Sequence, residues 1–378
     1  MEILADREIA AVAEVFEAFG PLRLFDGRRL RQTDIGDAEI LLVRSVTPID
    51  HSLLAGTPVR FVGTATAGVD HVDAEFLARA SIEFAHAEGC NARAVAEHVA
   101  TCLYTYAALR KVPPRELAVG IVGYGNVGRC LATLLKKLGI EFAISDPPLA
   151  EANSAIRSLS LEEIMDHDVV SLHVPLTSTG QHRTVDLIDE NGINRLRHEA
   201  LLINAARGGV VNEGALCRRL EAGAPLYAAV DCWSYEPDID AALLRSAWVA
   251  TPHIAGHSYE ARLEATRMLH TALNVFCGMN EVFPSGLKAP AAGRKTPLSA
   301  VGGIAELLSE VHPLAGHSER LRRMLALPTA RRGAHFDDVR ARFGLRREFS
   351  SFIVASDGLA PDTVAELGAL GFDVLNDD

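Results

Sequence analysis

Short apolar runs alternate with stretches of helical spacing along most of the chain. The apolar runs lie at residues 3–5, 38–43, 60–65, 118–122, 142–145, 168–174, 200–204, 227–230, 249–250, 352–355 and 372–375. Runs of this length, bounded by glycine, proline or polar residues, predict buried strands. Helical spacing is found at 9–19, 92–109, 127–138, 160–165, 214–222, 259–276 and 361–370. This alternation predicts an α/β protein with doubly wound parallel sheets.

The stretch from residue 117 to 146 carries the most specific pattern. An apolar run ends in Gly123, Gly125 and Gly128, a helical pattern follows, and a second apolar run ends in Asp146. The three glycines suit a tight turn, a close backbone approach to a pyrophosphate, and close packing of helix on strand. The helix N-terminus would supply N–H groups to phosphates, and Asp146 could accept ribose hydroxyls. Glycine triplets often mark plain turns, but the complete context predicts a dinucleotide site.

Polar residues follow two early strands. Arg44 and Ser45 come directly after the run at 38–43, and Thr66 follows the run at 60–65. Because the carboxyl ends of parallel strands face the ligand crevice, these residues are substrate candidates. The alternative interpretation is that Arg44 is a surface charge and that Ser45 and Thr66 only cap loops.

Three further polar residues follow strands in the second half of the nucleotide unit: Arg207, Glu236 and His253. Alone, each could be a loop cap, a turn residue or a structural histidine. Together they supply what oxidation of an alcohol needs beside a nicotinamide. A guanidinium can hold a carboxylate with two hydrogen bonds, an imidazole can take the hydroxyl proton, and a carboxylate can stabilise the charged imidazole.

Length and charge narrow the class of protein. A chain of 378 residues predicts two or three domains. The net charge of -12 argues against a nucleic-acid or anionic-membrane partner, although a local basic pocket for a phosphorylated metabolite remains allowed. The N-terminus lacks a signal-peptide pattern, and the six scattered cysteines lack a CxxC motif, so we expect reduced thiols in a cytoplasmic protein. A hidden zinc site is the alternative use of the cysteines.

The order of these motifs resembles the D-isomer-specific 2-hydroxyacid dehydrogenase family. The resemblance spans roughly residues 38–276 and rests on GxGxxG, the following acid, NAARGGVVNEGAL, the Glu-Pro pair and TPHIAG. It implies an NAD-dependent enzyme with Arg207, Glu236 and His253 as catalytic residues. The residues that the resemblance assigns to NAD binding are Gly123, Gly125, Asn126, Val127, Gly128, Asp146, Val174, Asp231 and Gly256. Ser45 and Thr66 would bind substrate.

Within that family, several features are similar to an enzyme of vitamin B6 biosynthesis that oxidises 4-phospho-D-erythronate. They are LLVRSVTPID, GTATAGVDHVD, GCNARAVAEHV, Asp146-Pro147-Pro148 and His253-Ile254-Ala255-Gly256, together with the length of the tail. The implied partner is therefore a small phosphorylated 2-hydroxy acid, with Arg44 as our candidate for its phosphate. Where the family usually has a tyrosine that contacts substrate, this chain has His257.

The implied organisation has three domains. A flavodoxin-like substrate domain comprises 1–95 and 258–285, a Rossmann NAD domain comprises 96–257, and a small α/β domain at 286–378 would form a homodimer. Two alternatives remain open from sequence: another enzyme of the family, such as a phosphoglycerate dehydrogenase, or a nucleotide-binding regulator without activity.

Overall fold

A computed structural model describes residues 1–287, 303–343 and 346–375. The strands are β1 Ile3–Asp6, β2 Leu22–Phe25, β3 Ile40–Val43, β4 Phe61–Thr64, β5 Glu83–His86, β6 Val119–Val122, β7 Phe142–Ser145, β8 Val169–Leu172, β9 Leu201–Asn204, β10 Tyr227–Val230, β11 Val249–Ala250, β12 Ile353–Ala355 and β13 Asp373–Leu375. The α-helices are α1 Val12–Phe16, α2 Gln32–Ile35, α3 His51–Leu54, α4 Ala74–Arg79, α5 Ala92–Arg110, α6 Asn126–Leu138, α7 Pro147–Ala152, α8 Leu161–Ile164, α9 Glu190–Arg195, α10 Glu213–Glu221, α11 Ala241–Ser246, α12 Tyr259–Cys277, α13 Ile304–Val311, α14 Leu314–Arg322, α15 Thr329–Ala341 and α16 Pro361–Leu370.

The chain divides into two compact units. The first holds residues 1–91 together with the stretch that begins at Ser258, and the second holds residues 92–257 together with the tail. The first unit is thus discontinuous in sequence, because α12 rejoins it. Among the described residues, no helix combines the length and apolar character needed to span a bilayer.

The first unit contains a five-stranded parallel sheet in the order β2-β1-β3-β4-β5. This is the flavodoxin-like order, which reverses direction between β1 and β3. The central strands β1, β3 and β4 are fully buried, whereas the edge strands β2 and β5 are largely accessible. The two edge strands escaped prediction because they bury too few residues to show a clear apolar run.

One predicted helix in the first unit is shorter than expected. Helical spacing indicated 9–19, but α1 begins only at Val12, and a 3₁₀ turn replaces its last residues. The Asp6 carboxylate accepts the backbone N–H of Glu8 at 2.9 Å, which turns the chain after β1. Ala11 then takes a left-handed conformation, with φ of 51°, immediately before the helix. A local turn at Asp6 therefore precedes the helix and accounts for its later start.

The second unit is built on a six-stranded parallel sheet in the order β11-β10-β9-β8-β6-β7. The strand order reverses at β6, which pairs with β7 on one side and β8 on the other. Ligands bind outside the carboxyl ends of the strands at such a switch point. The glycine turn follows β6 and therefore stands where the fold places a nucleotide.

Helix α5 is buried over most of its surface. Thirteen of its nineteen residues are buried, so it lacks the polar face of a surface helix. One side packs with α6 against the sheet, and the other meets α13 through Leu307 and Leu308, in one continuous apolar cluster. The helix bounds agree with the predicted 92–109 to within one residue.

The described part of the tail folds onto the second unit. Helix α16 and the parallel pair β12-β13 confirm the predicted strand–helix–strand, but α13, α14 and α15 were not predicted. Apolar tail residues join both core clusters of the second unit, including Leu307, Leu367 and Phe336. A segment of this size can form little core of its own, and its apolar residues are buried against the second unit of the same chain.

The arginines at 320–332 form a basic run, which typically predicts a solvated face. The Arg322 guanidinium instead donates to the carbonyls of Leu244, Ala247 and Trp248 near the end of α11. Carbonyls at a helix C-terminus lack intrahelical partners, so Arg322 satisfies them. The stretch at 286–297 is rich in Ala, Gly, Pro and Lys, which predicts a linker, and it lies mostly outside the described residues.

Candidate active site

The glycine turn after β6 is shaped by close approaches of backbone to backbone. A side chain at Gly128 would place its Cβ 2.1 Å from the carbonyl oxygen of Gly123, and one at Gly123 would lie 2.6 Å from that of His173. Gly123 also has a φ of 91°, which favours glycine. Neither position can therefore carry a side chain.

The same turn leaves room and donors for a phosphate group. Around Gly125, no atom lies within 4 Å of where a Cβ would stand, and no side chain caps the start of α6. Because the N-cap residue Gly125 has no side chain, it does not compete with a pyrophosphate for the first N–H groups of α6. The predicted residues Asn126 and Val127 begin this helix, and Val174 follows β8 beside the turn. The cradle fits NAD.

Asp146 lies at the carboxyl end of β7, as predicted, and both of its carboxylate oxygens accept backbone hydrogen bonds. Oδ2 accepts the backbone N–H of Tyr124 at 2.7 Å, and Oδ1 accepts that of Leu149 at 3.0 Å as the N-cap of α7. These bonds fix the carboxylate beside the glycine turn. Each oxygen keeps a second lone pair for a ribose hydroxyl.

His253 and Glu236 are in direct contact. Nδ1 of His253 lies 3.0 Å from Oε2 and 3.1 Å from Oε1 of Glu236. The backbone N–H of Trp233 donates to Oε1 at 2.9 Å and holds the carboxylate from behind. The His253 side chain is 31% exposed and that of Glu236 19% exposed, so the pair is sheltered but a small molecule can reach it.

The protonation of His253 follows from its neighbours. Burial by itself lowers its pKa, but the adjacent Cys232 and Glu236 side chains outweigh burial, and the pKa lies well above 6.5. Burial raises the pKa of the Cys232 thiol, and contact with His253 opposes that shift. The Glu236 carboxylate can stabilise the imidazolium.

Asp231 holds the loop that carries His253. Its carboxylate accepts the Thr251 hydroxyl at 2.6 Å and the backbone N–H groups of Ile254 and Ala255 at 2.8 and 2.9 Å. Its own carbonyl accepts the N–H of His253 at 2.8 Å. The Asp231 side chain is buried, and both of its oxygens accept hydrogen bonds from the protein itself. A contact of Asp231 with NAD stays a prediction, as does that of Gly256 in the same loop.

Arg207 begins the turn after β9, and the backbone there is tightly constrained. Asn204 donates to the carbonyls of Arg207 and Cys232 at 3.1 and 3.2 Å, which ties the turns after β9 and β10 together. A Cβ at Gly208 would lie 1.9 Å from the Trp233 carbonyl oxygen, so the two turns touch. The structure therefore brings the Arg207 turn beside the turn that leads to Glu236.

Sequence reasoning missed two side chains close to this pair. Cys232, next to Asp231, donates to the Ala206 carbonyl at 3.4 Å and adjoins His253. Glu213, in the first turn of α10, accepts the backbone N–H of Ser234 at 2.6 Å. Burial raises the pKa of Glu213 to about 7, although the bonds from Ser234 oppose the shift. Cys232 could have been noticed, since it too follows a strand end.

The substrate candidates of the first unit lie at the carboxyl ends of β3 and β4. Arg44 forms an ion pair with Asp6, with Nε 3.0 Å from Oδ2. Its side chain is 25% exposed, whereas that of Asp6 is fully buried. Ser45 is exposed in the turn that follows.

Thr66 belongs to a hydrogen-bonded group in the first unit that includes a histidine not considered from sequence. Its hydroxyl lies 2.8 Å from that of Thr64, which in turn lies 2.9 Å from Nε2 of His71. Burial lowers the pKa of His71, which favours a neutral ring. In the second unit, His257 follows the loop that carries His253, with its ring centroid 6.4 Å from that of Phe343.

Comparisons with known proteins agree with this architecture. Residues 91–255 match the NAD-binding domain of D-isomer specific 2-hydroxyacid dehydrogenases. Proteins named erythronate-4-phosphate dehydrogenase from Salmonella arizonae and Salmonella newport are each 38% identical, over 100% of this chain and 99% of theirs.

Solved structures share the fold at lower identity. A D-lactate dehydrogenase from Aquifex aeolicus, complexed with NAD and lactic acid, has a TM-score of 0.61 at 22% identity, covering 74% of this chain and 96% of its own. NAD-bound 3-phosphoglycerate dehydrogenase from Entamoeba histolytica has a TM-score of 0.62 at 22% identity, covering 76% and 98%. The full-length identity and the domain match together show that the chain belongs to the D-isomer-specific 2-hydroxyacid dehydrogenase family and carries that family's NAD-binding domain.

Proposed function

We propose that the protein oxidises 4-phospho-D-erythronate to 3-hydroxy-2-oxo-4-phosphobutanoate with NAD, as a step of vitamin B6 biosynthesis. The named relatives cover the whole chain, tail included, which supports this substrate over those of other family members. The contact between His253 and Glu236 is the observation that carries the chemistry. It provides an acid–base group in the unit that also carries the NAD-binding turn.

In this proposal, His253 accepts the proton of the C2 hydroxyl while the C2 hydrogen departs with its electron pair. NAD, when bound, supplies the hydride acceptor, so the alcohol loses two electrons and one proton reaches the imidazole. Because Nδ1 faces Glu236, Nε2 is the atom assigned to the proton transfer. The Glu236 carboxylate stabilises the imidazolium that results.

The remaining roles are assigned by charge. Arg207 binds the substrate carboxylate and the developing carbonyl oxygen, since a guanidinium offers paired donors in one plane. Arg44 binds the phosphate, and Ser45, Thr66 and His257 bind the rest of the substrate. The Asp6 carboxylate orients the Arg44 guanidinium through Nε and Nη2, and Nη1 is left for another acceptor.

The test is NAD reduction with three acids side by side: 4-phosphoerythronate, 3-phosphoglycerate and unphosphorylated erythronate. We expect the highest kcat/KM with 4-phosphoerythronate, and we expect His253→Ala to lower turnover strongly with every acid. General-base loss typically lowers turnover by roughly 10²–10⁴-fold. A preference for 3-phosphoglycerate would assign the protein to another member of the family, and full activity of His253→Ala would refute the acid–base assignment.

We also infer a homodimer in the cytoplasm, with a substrate domain, an NAD domain and a C-terminal dimerisation domain. Six free cysteines suit a reducing compartment. Because the described tail packs on its own chain, the dimer is best tested with the intact protein. Sedimentation at micromolar concentration should give twice the mass of 40.6 kDa. A single-chain mass would exclude the dimer.

A further inference from the structure

The tail reaches the catalytic loop through one buried side chain. Arg346 donates from Nη2 to the carbonyl of Ala255 at 3.3 Å and to that of Ala94 at 2.6 Å. Ala255 lies two residues after His253, and its N–H is bonded to Asp231. The loop is therefore held on one side by Asp231 and on the other by Arg346.

Arg346 is in turn fixed by Glu97 of α5. Its Nη1 lies 2.8 Å from Oε2 of Glu97, and the two side chains are 2% and 0% exposed. Oε1 of Glu97 accepts Nε of Arg93 at 2.8 Å and the backbone N–H of Phe349 at 3.0 Å. The carboxylate thus binds two groups from the tail and one from its own helix, which leaves the Arg346 guanidinium little freedom.

Stability alone is a weak explanation for such a pair. Taking a guanidinium and a carboxylate out of water costs several kcal/mol per ion, and well-packed apolar residues of similar volume often serve stability equally well. A planar guanidinium can, however, fix three acceptors at once. The loop needs such restraint, because His253 has a φ of 57°, a left-handed conformation that costs about 1–2 kcal/mol for a residue other than glycine.

We propose that Arg346 is a positioning residue for catalysis, through which the tail of the same chain holds the His253 loop in contact with Glu236. The proposal rests on the acid–base role of His253 given above. It assigns the tail a function within each chain, independent of whether the tail also joins two chains.

The first test is Arg346→Lys, which keeps the positive charge beside Glu97 but lacks the planar fork. We expect kcat to fall about tenfold or more, with the KM for NAD little changed. The acid limb of the kcat–pH profile should move to lower pH, because His253 loses part of its contact with Glu236. Unchanged kcat and an unchanged pH profile would overturn the proposal.

A double variant separates positioning from stability. Glu97→Leu with Arg346→Met replaces the buried ion pair by apolar groups, and Arg93, which also loses Glu97, is 33% exposed and can be hydrated. We expect a Tm near that of the wild type, with kcat and the acid limb changed as in Arg346→Lys. Wild-type kinetics in this variant would overturn the proposal even if the lysine variant failed to fold.

The matched control is Tyr104→Phe. Tyr104 of α5 donates to Glu366 of the tail, so its loss weakens tail docking without touching the loop. We expect a lower Tm with unchanged kcat and pH profile. If this control lowered kcat as much as Arg346→Lys, the effect would be general destabilisation and the proposal would fall. The His253→Ala variant tests the proposed function separately. Full activity of this variant would refute the acid–base role of His253, whereas the Arg346 variants test only the positioning role of the tail.

Discussion

Glu236 meets His253 through both carboxylate oxygens, at 3.0 and 3.1 Å from Nδ1, and the adjacent Cys232 together with this contact keeps the pKa of the imidazole high. Substrate oxidation requires the neutral ring, so the rate should rise with pH through the pKa of His253. Glu236→Gln removes the anion and lowers that pKa. We expect the acid limb of the kcat–pH profile to move to lower pH, with reduced turnover on the plateau.

The control for this change is Glu264→Gln on α12. Glu264 pairs on the surface with Arg267 and should leave both kcat and the profile unchanged. An acid limb that stayed in place in Glu236→Gln would mean that another group governs the profile.

Asp146 should make the enzyme prefer NAD over NADP, because its carboxylate would face a 2′-phosphate. Asp146→Asn removes the charge while Oδ1 can still accept the N–H of Leu149 and cap α7. We expect the ratio of kcat/KM with NAD to kcat/KM with NADP to fall about tenfold. This change corresponds to about 1.4 kcal/mol, an ordinary value for the interaction of one near-surface charge pair. Comparable efficiency of the wild type with both cofactors would contradict the prediction.

Arg44→Ala should lower kcat/KM for the phosphorylated acid far more than for short unphosphorylated 2-hydroxy acids. A hydrogen bond to a charged group contributes about 1.5–3 kcal/mol, so we expect a loss of roughly tenfold to a hundredfold. Arg60→Ala is the matched control, since Arg60 pairs with Glu39 at the opposite ends of the strands. An equal loss with both classes of acid would indicate that Arg44 serves only to neutralise Asp6.

Glu213 should make the protein less stable above neutral pH. Burial raises its pKa to about 7 from 4.5, so the folded state favours the neutral carboxyl. The stability that this provides is complete below pH 4.5 and is lost as the pH rises through 7. Between pH 5 and 8.5, the free energy of unfolding of Glu213→Gln should therefore fall less than that of the wild type. We expect the two falls, measured by urea unfolding, to differ by on the order of 1–3 kcal/mol. Glu221→Gln, on the same helix, should behave as the wild type.

Local patterns predicted the parts of the fold that local chemistry determines. The helix that begins at Asn126 ends at Gly139 as expected, because a left-handed glycine closes it. The start of α8 followed from Ser160 and Glu163, which form a capping box. The strand-end positions of Arg207, Glu236 and His253 could be read in the same way, because each follows an apolar run.

Features that depend on distant parts of the chain were not predictable. Asp6 meets Arg44 only after two strands pair, and Arg346 meets Glu97 across some 250 residues of sequence. The edge strands β2 and β5 lack a clear apolar run, because an exposed strand need not be apolar. Helices α14 and α15 were missed because their arginines obscure the few residues that face the core.

The double-sided burial of α5 has a consequence for synthesis. The ribosome completes α5 at Arg110, but α13, which covers one of its faces, follows roughly 190 residues later. At a synthesis rate of about 5–20 residues per second, that face of α5 stays uncovered for on the order of 10–40 s before α13 is made. An apolar helix left open for so long is a binding site for other nascent chains and for chaperones. Premature termination before the tail should therefore yield an aggregating product and not a smaller enzyme.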